Sequence, residues 1–170
     1  MRRGAARMAF AALLPGLVGC GYQMEAQHLP QNASTLAIGA VRNRTFTGEL
    51  DLRLKDQLRR RLMRNPSFAL TAAEGSELIL EIDLTHAAFI RALDVSNTNL
   101  SSLSMRLRGR VRLRGTGAEA KLIRSQAISV GVTLSFDQPV IETPAVRDEI
   151  TGDAIAAFVE RVEAMLYGNF

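Results

Sequence analysis

Three stretches in the middle of the chain alternate apolar and polar residues with a period of two. In residues 77–86, Leu78, Leu80, Ile82 and Leu84 are apolar, while Glu81 and Asp83 point the other way. In residues 103–114, Leu103, Met105, Leu107, Val111 and Leu113 are apolar, and every even position from 106 to 114 is arginine. In residues 128–136, Ile128, Val130, Val132, Leu134 and Phe136 stand opposite Ser129, Gly131, Thr133 and Ser135. This pattern predicts an antiparallel sheet with one buried face and one wet face. Residues 94–102 and 115–118 are its turns, the second marked by Gly115-Thr116-Gly117.

Two segments switch to helical spacing. Leu50, Leu54, Leu58 and Leu62 recur every four residues as one apolar stripe. Thr47 is the expected N-cap, Glu49 and Asp51 favour the first turn, and Arg59, Arg60, Arg61 and Arg64 favour the last. Asn65-Pro66 ends this helix. A second helix is expected from about residue 144 to 167, with Val146, Ile150, Ala154, Phe158, Val162 and Met165 on one face. Ile155, Val159 and Leu166 widen that face. A short buried strand at residues 35–41, carrying Leu36, Ile38 and Val41, precedes the first helix. The expected fold is therefore α+β, in the order β-α-β-β-β-α. It is a two-layer sandwich with a four-stranded, mostly antiparallel sheet and both helices on one face.

The amino terminus follows another logic. Arg2, Arg3 and Arg7 precede an apolar run from residue 8 to 18, about half the roughly 20 residues a membrane span needs. Leu17-Val18-Gly19-Cys20 resembles the lipobox of bacterial lipoproteins, in which the leader is cut and the cysteine lipidated. The alternative is an ordinary secretory signal with a chance cysteine. The expected organisation is a signal peptide at 1–19, a lipidated tether at 20–34 and a single sandwich domain at 35–170. Removing the leader changes the charge balance. Three of the 21 Lys+Arg leave with it and no Asp or Glu does, so 18 bases face 17 acids. The basic character of the whole chain thus gives no reason to expect nucleic-acid binding, and no nucleic-acid motif accompanies the basic end of the first helix. Cys20 is the single cysteine, so no intramolecular disulfide is available.

Two stretches carry a family resemblance. One is Gly19-Cys20-Gly21-Tyr22. The other runs from Leu36 through Asn43-Arg44-Thr45-Phe46 to the Leu-rich helix, Ala72-Ala73 and the acidic-apolar strand at 77–84. Together they resemble the LPS-assembly lipoprotein family of Gram-negative outer membranes. The His-Leu-Arg-Gly-like run that follows the cysteine in that family is absent, since Gln23-Met24-Glu25 stands there. The resemblance implies a non-catalytic protein that works with a large outer-membrane β-barrel and helps deliver lipopolysaccharide to the outer leaflet. It also implies that Gly21 sorts the lipid anchor to the outer membrane.

Chemistry concentrates in one row. Alternation places Arg106, Arg108, Arg110, Arg112 and Arg114 on one sheet face, about 6.5–7 Å apart along the strand. If residues around Ile82 pair with those around Val111, Glu81 and Asp83 fall opposite arginines, and two acids cannot neutralise five bases. The surplus is a candidate contact for phosphates or for a protein partner; the alternative is a solvated face. Asn43, Arg44 and Thr45 form a candidate recognition loop or else the turn before the first helix. No catalytic group, metal cluster or cofactor beyond a covalent lipid on Cys20 is expected: His28 lies in the tether, and His86 falls on the apolar parity of its strand. Two functions remain in view, a lipopolysaccharide-transport accessory and a lipoprotein that scaffolds another envelope complex without binding lipid.

The leader yields a direct test. Cys20→Ala should leave an unprocessed, unlipidated chain, whereas the native protein should begin at Cys20 with added acyl mass in intact mass spectrometry. A native chain without acyl mass would remove the lipobox reading.

Overall fold

A computed structural model of the chain describes residues 29–93, 100–117 and 120–168. Cys20, His28, Gly21 and most of the expected tether lie outside the described residues. Strand β1 is Thr35–Asn43, helix α1 Leu50–Leu62, β2 Ala69–Leu70, β3 Leu78–Leu93, β4 Leu100–Gly115, β5 Leu122–Val140 and helix α2 Pro144–Tyr167. The strands form one curled sheet in the order β2-β1-β3-β4-β5.

This sheet corrects the expectation of four mostly antiparallel strands. It has five strands and is mixed: β1 runs parallel to β2 and β3, and only β3-β4-β5 is antiparallel. The reason is topological. A helix between strands returns the chain to the end where it started, so α1 sets β2 parallel to β1, and the short link after β2 lets β3 start again from the same end. β2 is two residues long, too short to show any period.

Two bulges tune the faces. β1 pairs Ile38 with Leu80 but Val41 with Ile82, so it holds one residue more than β3 between those points. That extra residue is why apolar positions 36, 38 and 41 break strict alternation and still all face the core. Gly39 lies within this bulge, where a Cβ would come 2.7 Å from Ile79 Cγ2. The second bulge is at Thr85, between the pairs Leu84↔Gly109 and His86↔Arg108. It reverses the parity of β3, so Ala87 and Phe89 turn inward and His86 is exposed. His86 was expected on the apolar side, and the bulge overturns that.

Both helices cover the inner face. Leu50, Leu54, Leu58 and Leu62 of α1 are fully buried, as are Ile150, Ala154, Phe158 and Val162 of α2. The core also takes in Leu29 and Ala33, upstream of the expected domain start, and Ser34 N–H donates to Glu77 at 2.6 Å. Gly109 explains the missing apolar residue in the β4 pattern. A Cβ there would lie 3.0 Å from Phe158 Cζ and 3.0 Å from the Asp83 carbonyl, so the glycine seats the Phe158 ring against the strand.

The helices run parallel, because ion pairs join their first turns (Arg53 to Asp148, 2.5 Å) and their later turns (Arg61 to Glu163, 2.8 Å). Asn65 donates to the Tyr167 hydroxyl at 2.8 Å, and burial pushes that phenol up to about 12. Arg124 caps the end of α2 by donating to the Met165 carbonyl. At the start of α2, burial raises the Glu142 carboxyl, but hydrogen bonds from Arg91 and Arg147 outweigh it and hold the group below its ordinary range. Thr47 is not the cap of α1. Glu49, in a left-handed conformation at φ 60°, occupies that position without a side-chain hydrogen bond.

Truncating Ile82 to Ala should cost about 2–5 kcal/mol, and Phe158 to Ala about 3–5 kcal/mol, in denaturant unfolding. Gly109→Ala should cost about 1–3 kcal/mol by overpacking. Combined with Phe158→Leu, it should cost less than the sum of the single changes, because the two sites share one contact. Strict additivity would show that Gly109 does not seat the ring.

Candidate functional site

The inward side chains of β4 pin its register, and the outer face follows. Ile82 pairs with Val111, Glu81 with Arg112 and Asp83 with Arg110, so the condition under which both acids fall opposite arginines is met. All five arginines of the row alternate with inward residues, and Arg106, Arg108 and Arg110 are exposed.

Asp83 has three arginines against it and Glu81 two. Asp83 is almost wholly buried, beneath a canopy of guanidinium groups. Arg112 donates to its Oδ2, while Arg42 and Arg44 stand 3.6 and 3.7 Å from its Oδ1. Among the described residues Oδ1 accepts no hydrogen bond, so those two arginines act on it by charge rather than by directed bonding. Glu81 has Arg114 at 3.2 Å and Arg112 at 3.7 Å. The row therefore divides. Arg112 and Arg114 turn to the acids, and Arg106, Arg108 and Arg110 form no ion pair with any described residue.

The 43–45 loop divides in the same way. Asn43 Oδ1 accepts from the Thr45 N–H (3.0 Å) and hydroxyl (2.8 Å), and its Nδ2 donates to the Thr47 carbonyl at 2.7 Å. Asn43 and Thr45 thus build the turn, with their polar groups engaged locally. Arg44, which the turn projects towards Asp83, joins the site.

A cavity of about 500 Å³ opens on this face. Arg44, Arg108, Arg110 and Arg112 line it, together with Asp83, Thr85 and Ser129. Four guanidinium-bearing residues against one already paired carboxylate give the cavity a positively charged lining, and planar forks of this kind suit phosphate or carboxylate oxygens in bidentate contacts. Sequence reasoning missed Arg42 and Thr85, and it named Arg44 only as part of a separate candidate loop. The spacing of Leu36, Ile38 and Val41 held the signal, since a bulge there sets Arg42 on the outer face beside Asp83. No group of three or more His, Cys, Asp or Glu side chains that could hold a metal occurs among the described residues.

No family profile and no curated protein matches the chain. Solved structures do share its fold. A Xanthomonas campestris protein of the DUF330 family superposes with a TM-score of 0.53 at 13% identity, over 79% of this chain and 84% of that one. A hypothetical protein of Chlamydia trachomatis gives 0.52 at 14% identity, over 80% and 99%. A candidate lipoprotein of Caulobacter crescentus gives 0.51 at 16% identity, over 75% and 87%. At these identities the likeness is one of fold.

The division of the row predicts unequal costs of removal. Arg112→Gln takes a hydrogen bond from a buried carboxylate and should destabilise the chain by about 1–3 kcal/mol. Arg110→Gln, on an exposed side chain, should stay within about 0.5 kcal/mol. Urea unfolding of the two variants decides the point, and equal midpoints would mean that Asp83 does not depend on Arg112.

Proposed function

We propose that this chain is a lipid-anchored, non-catalytic protein of the outer membrane that binds the phosphorylated headgroup of lipopolysaccharide on its arginine face. In this reading Cys20 carries the anchor, and an outer-membrane β-barrel is the partner that receives the domain. The observation that carries it is the uncompensated charge: Arg106, Arg108 and Arg110 are exposed and form no ion pair with any described residue, and Arg108 and Arg110 line the cavity. Lipid A phosphates offer the chemistry that such forks select. Three further features support the reading. The leader ends at a lipobox-like cysteine, the family resemblance implies lipopolysaccharide delivery, and one of the proteins that share the fold is a candidate lipoprotein. No helix of the described residues is long and apolar enough to cross a membrane, which leaves the lipid on Cys20 as the anchor of this proposal.

The test separates binding from folding. Arg106, Arg108 and Arg110 replaced together by Gln should lower lipopolysaccharide binding while moving stability by less than about 0.5 kcal/mol per exposed site. The corresponding Lys triple variant should also bind less well, because charge alone does not reproduce the bidentate fork. Binding of the native protein should weaken as salt is added. A Gln triple variant that binds as well as the native chain would refute the headgroup contact.

A further inference from the structure

The sheet ends on two very different edges. On one side β2 offers only two residues. On the other, β5 runs for 19 residues from Leu122 to Val140. Its pairing with β4 is uninterrupted from Ser125↔Arg112 to Ser135↔Ser102. Its outer backbone groups have no partner in any loop or helix among the described residues. Proteins ordinarily blunt such an edge with charge, proline or a bulge. None occurs here: residues 125–135 contain no charged side chain and no proline, and the bulges lie beyond both ends. Charge returns only at Arg124 and Asp137.

The edge also specifies what can pair with it. On the inner side Val132 and Leu134 are only half-buried, so an added strand must bring apolar residues there. On the outer side Ser125, Ala127, Ser129, Gly131, Thr133 and Ser135 leave room for small side chains. The strand that meets both demands is β5 itself.

We propose that β5 pairs antiparallel with β5 of a second copy of this chain, about a two-fold axis at Val130, to make one continuous ten-stranded sheet. Val130 is the centre of the regular, charge-free segment. An axis through a residue also matches inner with inner positions, since it pairs residues of the same parity: Ile128 meets Val132 of the second copy, and Ser129 meets Gly131. An axis between residues would set apolar against small positions. The arginine rows do not oppose the pairing. Two β5 strands separate the two β4 strands, about 14 Å at ~4.8 Å per step, beyond the Debye length of about 8 Å in physiological salt.

The experiment uses the full chain in detergent, with mass read by native mass spectrometry and fold by circular dichroism. The native chain should be a dimer. Ser129→Lys with Gly131→Lys sets lysine against lysine twice across the axis, at exposed positions where a Gly131 Cβ meets nothing within 4 Å. That variant should keep its fold and weaken the dimer by about tenfold. Ser129→Lys with Gly131→Glu sets opposite charges in the same places and should restore it. Ser129→Cys and Gly131→Cys chains mixed under oxidation should give a disulfide-linked heterodimer more readily than either alone. A monomeric native chain, a dimer indifferent to the lysine pair, or cross-links only to a different protein would each overturn the proposal.

Discussion

Burial of one face of the sheet under two helices governs everything on the other face. Side chains in a strand alternate strictly, so once Leu107, Val111 and Leu113 are held in the core, the residues between them have only one place to go. A slip of one residue would exchange arginine for leucine along the whole of β4, at a cost no local interaction could offset. The apolar face therefore acts as the register lock for the charged one. Gly109 and Phe158 sharpen that lock, because the ring fits at one point along the strand.

The charged face is a compromise between neutralisation and availability. Glu81 and Asp83 sit in the middle strand β3, where arginines of β1, β4 and the 43–45 loop reach them. Their effect is local, and it holds Arg112 and Arg114 in place. Farther along β4 no acid stands opposite Arg108 or Arg106 on β3, and Arg108 and Arg110 line the cavity with Arg44. Buried Asp83 thus holds one side of the cavity, and Arg108 and Arg110, which form no ion pair with any described residue, line the other.

The two candidate surfaces, the arginine face and the β5 edge, lie side by side on adjacent strands. Their chemistry differs. The face offers charge and directed forks, and the edge offers backbone groups and small side chains. They meet at Ser129, which lies on the edge strand, pairs with Arg108 and lines the cavity.

Much of the molecule was legible in the residues alone. The long strands, the α1 stripe, the buried face of α2 and the outward arginine row all follow from periods of two and 3.6, which depend only on local backbone geometry. Other features needed the third dimension. The parallel pairing of β1 follows from where α1 returns the chain, and β2 is too short to announce itself. The bulge at Thr85 reversed the parity of His86, because a bulge is a property of two strands in register and not of one. Asn43, Arg44 and Thr45 read as one motif along the chain, yet two of them build a turn and the third reaches the carboxylate of Asp83 on β3, far along the sequence. Local periodicity determined which residues face inward and outward; only tertiary packing decided which of them meet, because meeting depends on the crossing of distant segments.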